Sequence, residues 1–172
     1  MPFEASADKV EEAHHFLLLM RVAELPPEES DIPERLQGEP AFRFSFSAFL
    51  SATRTILYLL QEEGNNQAGF TRWYVTARER WLKTELAQFF GDRRQFRLVF
   101  PTGVGDVMLP PNTASRTRVE PVGPTTVPII DAGRPYGQVR FWERPGEAVT
   151  DLCAQYLQEL ATVVEHARQL AS

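Results

Sequence analysis

Between Phe42 and Val99 two long apolar-patterned segments flank one short polar turn, and this stretch limits what the rest of the chain can build. It reads FRFSFSAFLSATRTILYLLQEE, then GNNQAG, then FTRWYVTARERWLKTELAQFFGDRRQFRLV. In the first segment Phe46, Phe49, Leu50, Ala52, Thr53, Ile56, Leu57, Leu59 and Leu60 recur at helical spacing and cover more than one face. A helix apolar over that much of its circumference sits centrally in a bundle or at a subunit interface. It is expected to begin near Arg43 to Ser45, after Pro40. Gly64 is its natural stop, where helices often place a left-handed residue. In the second segment Phe70, Trp73, Tyr74, Ala77, Trp81, Leu86, Phe89 and Phe90 form a bulky stripe, read as core. Gly91 kinks or ends that helix.

The flanking parts read as additions packed on this pair. Residues from Ser6 or Ala7 to Leu25 form a first helix, stopped by Pro26-Pro27. Residues 26–41 form an acidic, proline-rich connector. From 100 to 146 prolines, glycines and β-branched runs replace helical periodicity. Val127–Ile130 and Tyr136–Trp142 flank DAGRP as a hairpin, and Arg116–Val122 is a candidate third strand. Phe141 and Trp142 are its expected anchors to the bundle. The last helix runs from about Glu147 to Ala171, with Leu152, Cys153, Tyr156, Leu157, Leu160, Val163, Val164 and Ala167 three and four residues apart.

The chain is therefore expected to be one domain, 1–172, mainly α. It is an up-and-down bundle of four long helices with a small antiparallel β-hairpin, in a β-rich insertion at about 100–146, before the last helix. Its 172 residues suit a single core. No apolar run approaches the roughly 20 residues that cross a bilayer. The acidic opening MPFEASADKVEE is unlike a signal peptide, which places the chain in the cytoplasm by expectation. The lone Cys153 excludes an internal disulfide and reads as a small buried apolar residue.

Charge is uneven. Residues 1–41 hold ten acids and three bases, a balance of −7; residues 70–97 hold seven bases and three acids, a balance of +4. The simplest arrangement lays the acidic part against the basic helix; the alternative is a local anion site.

No familiar site motif is present. Phosphate-loop, dinucleotide-binding, HExxH and G-x-S-x-G patterns are all missing. Thr102-Gly103-Val104-Gly105 leads into DVMLPP, not into a helix. His14 and His15 point about 100° apart on a helix and make poor joint metal ligands; one is expected to be partly buried and the other exposed. No metal site and no cofactor are expected, and His166, beside Arg168, reads as structural. The basic run GDRRQFRLVF is the other candidate. On a helix, Arg93 and Arg97 reach solvent while Arg94 leans inward beside Asp92, giving an ion pair or a buried polar network. Phosphate binding by Arg93, Arg94 and Arg97 is the functional alternative.

FRFSFSAFLSATRTILYLLQ, the Trp73-Tyr74 helix and FFGDRRQF, in that order, resemble the HEPN superfamily (higher eukaryotes and prokaryotes nucleotide-binding). In that family an aromatic-rich helix reads Ser/Ala-Phe-Leu-x-Ala-x-Arg, and a later helix carries Asp-x-Arg-polar followed by a histidine. Asp92, Arg94 and Gln95 match the second motif, but Val99 stands where the histidine falls. The resemblance implies a homodimer, and in active members a metal-independent ribonuclease whose Arg and His act on the RNA phosphate. Without the imidazole, acid–base chemistry lacks its usual agent. The expectation is a non-catalytic homodimeric binding module, for a protein partner or RNA and not for a membrane, in a toxin–antitoxin or stress setting. Two alternatives stand beside it: a ribonuclease using Arg94 with a displaced His14 or His15, and a small-anion or nucleotide site at Arg93, Arg94 and Arg97.

Overall fold

The computed structural model describes residues 3–25, 32–91, 93–101, 103–108 and 138–171. The chain is mainly helical with a small antiparallel sheet. Its elements are α1 (Glu4–Ala23), a 3-10 turn (Glu34–Leu36), α2 (Gly38–Gly64), α3 (Phe70–Trp81) and α4 (Glu85–Gly91), then β1 (Gln95–Phe100), β2 (Gly103–Met108), β3 (Arg140–Phe141), β4 (Arg144–Ala148) and α5 (Val149–Leu170). Among the described residues no helix is long and apolar enough to cross a membrane.

Helix α1 runs antiparallel to α2. The Glu63 carboxylate near the end of α2 accepts the Ala5 and Ser6 backbone N–H groups at 2.8 and 2.9 Å, in the first turn of α1. This satisfies two of the four donors that a helix start leaves open, a cap worth about 1 kcal/mol. Helix α1 thus starts at Glu4, before Ser6, whose hydroxyl donates to Phe3 C=O. Helix α2 begins at Gly38, earlier than its sequence suggests. Pro40 falls in the first turn, where its missing N–H costs nothing. Gly64 does end α2, but not in a left-handed conformation.

The second half of the expected helix pair is not one helix. The chain leaves α3 at Trp81 and starts again at Glu85. Thr84 makes the break: its hydroxyl oxygen accepts the Ala87 N–H at 3.2 Å and donates to Glu159 of α5 at 2.8 Å. Side chains of this type at helix starts favour initiation. Beyond Gly91, residues 95–100 are strand, not helix. QFRLVF buries Phe96, Leu98 and Phe100, while Gln95, Arg97 and Val99 face outward, a period of two.

The sheet has the order β2-β1-β3-β4. Strand β1 pairs with β2 from Gln95↔Met108 to Phe100↔Gly103, and with β3 through Leu98↔Phe141 and Val99↔Arg140. The expected hairpin around DAGRP and the strand at Arg116–Val122 lie outside the described residues, apart from 138–142. The inner face of the sheet meets the helices through rings. Phe46 lies 5.4 Å from Phe96 and 5.7 Å from Phe141, Phe89 lies 4.9 Å from Phe141, and Phe90 stacks on Tyr156 at 4.6 Å. Phe141 is the anchor; Trp142 points outward and is 40 % exposed. Cys153 is fully buried, and burial pushes its thiol pKa well up, so it is an inert core residue.

Most of the aromatic content of α2 is spent on this core: Phe42, Phe46 and Phe49 are buried, and only Phe44 and Tyr58 face solvent. Among the described residues no ion pair joins 1–41 to 70–97, because α1 packs on α2 and α5 and its Glu12 pairs with Lys9 on the same helix.

Candidate functional site

The site begins with how the chain leaves α4. The Arg54 guanidinium, on α2, donates to the carbonyls of Phe90 (3.4 Å) and Arg93, at the end of α4 and just beyond it. Cations suit helix C-termini, where carbonyls are left open. Burial lowers the Arg54 pKa from its ordinary value, and the nearby Arg94 cation works in the same direction.

With the exit fixed, the arginines of 93–97 diverge. Arg93 lies over the Phe89 ring, 4.4 Å from its centroid, and bonds Glu143 at 2.7 Å. Arg144 lies over the same ring at 5.6 Å and bridges Glu85 (2.9 Å) and Glu147 (2.7 Å). These two are committed to holding β4 against α4. Arg94 does not lean inward: it is exposed and has no ion pair among the described residues. The arginine with an acid partner is Arg93, paired at the surface with Glu143, because the segment is an extended entry to β1, not a helical turn. Asp92 lies outside the described residues.

Arg97 takes a third course. It stands on the outer face of β1, with its guanidinium 4.5 Å above the Trp142 ring. The Trp142 backbone N–H donates to Arg97 C=O at 2.9 Å, which locks the two side by side. Such a pair contributes about 1 kcal/mol when partly exposed. In the register of β1 and β2, Arg97 stands opposite Asp106. Arg140, on the neighbouring strand, is exposed and donates to Pro145 C=O at 2.7 Å. Arg97, Arg140 and Trp142 therefore make a basic, aromatic outer surface on the sheet. Guanidinium forks there match phosphate oxygens, and an indole face takes a base by stacking.

The histidines are elsewhere. His14 and His15 are both exposed on α1, so neither is the partly buried one the spacing suggests. His15 packs only edgewise on Phe16, ring centroids 6.0 Å apart. Neither bonds Arg93, Arg94 or Arg97. His166, on α5, lines a groove against α3. Among the described residues no group of three His, Cys, Asp or Glu side chains is placed to hold a metal ion.

Sequence reading misses Arg54, Arg140 and the outward Trp142. Arg54 carries no local signal, since its partners lie 36 and 39 residues away. Trp142 does have one: in Arg140-Phe141-Trp142 a strand's alternation puts the middle ring in and its neighbours out. Comparison with protein-family models, curated proteins and solved structures finds no match to this chain.

Proposed function

We propose that the protein is a non-catalytic binding module that holds single-stranded RNA on the outer face of its sheet. The observation that carries this reading is the Arg97–Trp142 pair, a guanidinium 4.5 Å from the centroid of an exposed indole on the outer face of the sheet. Arg140 extends the charge on the neighbouring strand. Single strands are bound in this way, by cations that track phosphates and rings that stack on bases. Fluorescence anisotropy with a labelled 12-nucleotide RNA tests it. Affinity falls as salt rises, because cations released from phosphates drive binding. Trp142→Ala weakens binding about 10- to 100-fold, by loss of a stacked base. Arg140→Gln lowers the salt slope by about 0.7, the share of one phosphate contact. Binding unchanged in both variants overturns the reading. Cleavage of the RNA in EDTA, lost in Arg94→Ala, would replace it with the ribonuclease alternative.

The module is also proposed to be a homodimer, joined through the outer face of α2. Phe44 and Tyr58 stand there 76 % and 63 % exposed, fourteen residues apart and so on nearly the same side of the helix. Light scattering at micromolar concentration should give twice the chain mass of 19.6 kDa. A single-chain mass would refute the dimer and leave the RNA surface untouched.

A further inference from the structure

Between α3 and α5 lies an open groove of about 340 Å³, lined by Trp73, Ala77, Trp81 and Val163, with Arg80 and His166 bringing the polar groups. No carboxylate lines it among the described residues. The volume is within the range of small-molecule sites, which pair an apolar wall with a few polar groups. Thr76 and Thr84, which also line it, already donate to Arg72 C=O and to Glu159. Arg80 is exposed and has no ion pair among the described residues. The Trp81 side chain is 7 % exposed, and its Nε1–H is a buried donor with no acceptor. Leaving such a group unmade costs about 1–3 kcal/mol, so natural structures rarely do so without a reason.

From these features we infer that the groove binds a small organic anion, a flat apolar body carrying one carboxylate. The body lies against the indoles of Trp73 and Trp81. The carboxylate meets the Arg80 guanidinium, for which a two-oxygen acceptor is the matching partner. A neutral ligand of the same shape gains the apolar contact and forfeits the charge.

The three tryptophans supply the test, since each gives one indole N–H signal in a proton–nitrogen spectrum and Trp142 lies on the sheet, outside the groove. Titration with 2-naphthoate should move the Trp73 and Trp81 signals along one saturable curve, with a Kd of about 1 mM or tighter for a ligand of that size. The Trp142 signal should stay in place. 2-Naphthamide should bind at least about tenfold more weakly, the ratio of one lost charge-assisted bond. Arg80→Gln should bring naphthoate down to the affinity of the amide. Arg78→Gln, a change of equal charge on the same helix but outside the groove, should leave it unaltered. Absence of saturable shifts, equal movement of Trp142, or equal affinity for acid and amide each overturns the inference.

Discussion

Replacing Gly64 with alanine is expected to destabilise the fold by about 2–4 kcal/mol, although alanine is the better helix former by about 1 kcal/mol. The sign is set by Phe70. A Cβ on Gly64 would fall inside the van der Waals volume of the Phe70 ring, against Cε1, Cδ1 and Cζ. That ring is closely packed: it stacks on Phe3 at 5.3 Å and on Tyr74 at 5.4 Å, and it is 3 % exposed. Tyr74 is pinned by its hydroxyl, which donates to Leu57 C=O at 2.9 Å. Phe3 sits in left-handed backbone, φ 66°, a conformation that costs a non-glycine residue about 1–2 kcal/mol and is held here by this packing. Urea unfolding should show a lower midpoint at unchanged slope. The double variant Gly64→Ala/Phe70→Leu should cost clearly less than the two single changes summed, since the clash they share is removed once. A Gly64→Ala protein more stable than the parent would mean that helix propensity governs the position and that the ring stack yields.

This position shows how sequence and structure divide the information. Spacing alone marks 64 as the end of a helix, because glycine follows an apolar period and precedes polar residues. Why it must be glycine depends on a ring brought back by the GNNQAG turn. The same division runs through the chain. Helix α5 is legible because it lies on the core along one face: Leu152, Cys153, Tyr156, Leu157, Leu160, Val164 and Ala167 are all buried as their spacing implies. Strand β1 is not, because a spacing of four between Arg93 and Arg97 fits one helical turn as well as two steps of a pleat. The alternation Phe96, Leu98, Phe100 is the signal that should have outweighed it. The arginines of the candidate site stand out by composition, but their roles do not. Whether one is neutralised, stacked or exposed depends on Glu143, Trp142 and Arg54, each about 40 or more residues away.

Glu24 carries the second large effect, and it appears in the pH dependence of stability. The side chain ends α1 and closes a three-way junction. It accepts the Val139 N–H at 2.7 Å and the Thr150 hydroxyl at 3.3 Å, while Val139 C=O accepts the Val149 N–H at 2.8 Å. Burial raises its pKa to about 7; the bonds from Val139 and Thr150 and the Arg21 charge oppose this, and Asp151 adds to it. The folded protein therefore holds this proton more tightly than the unfolded chain, whose carboxyl titrates near 4.5. The stability that Glu24 contributes is full below pH about 4.5, declines as pH rises, and is gone above about 7, a loss of roughly 3 kcal/mol. Glutamine has the same shape and no charge to bury: its oxygen can accept from Val139 and its amide can donate to the Thr150 oxygen. Unfolding Glu24→Gln and the parent in urea at pH 5 and pH 8 isolates this group, because every other titration cancels in the difference. The variant should gain on the parent by about 2–3 kcal/mol between the two pH values and be the more stable protein at pH 8. A difference that does not change with pH would show that the carboxylate is ionised at both values, with the junction open enough to hydrate it. A variant that loses ground at pH 8 would show that the ionised carboxylate, through its bond from Val139, holds the end of α1 to the start of α5 more strongly than its desolvation opposes it.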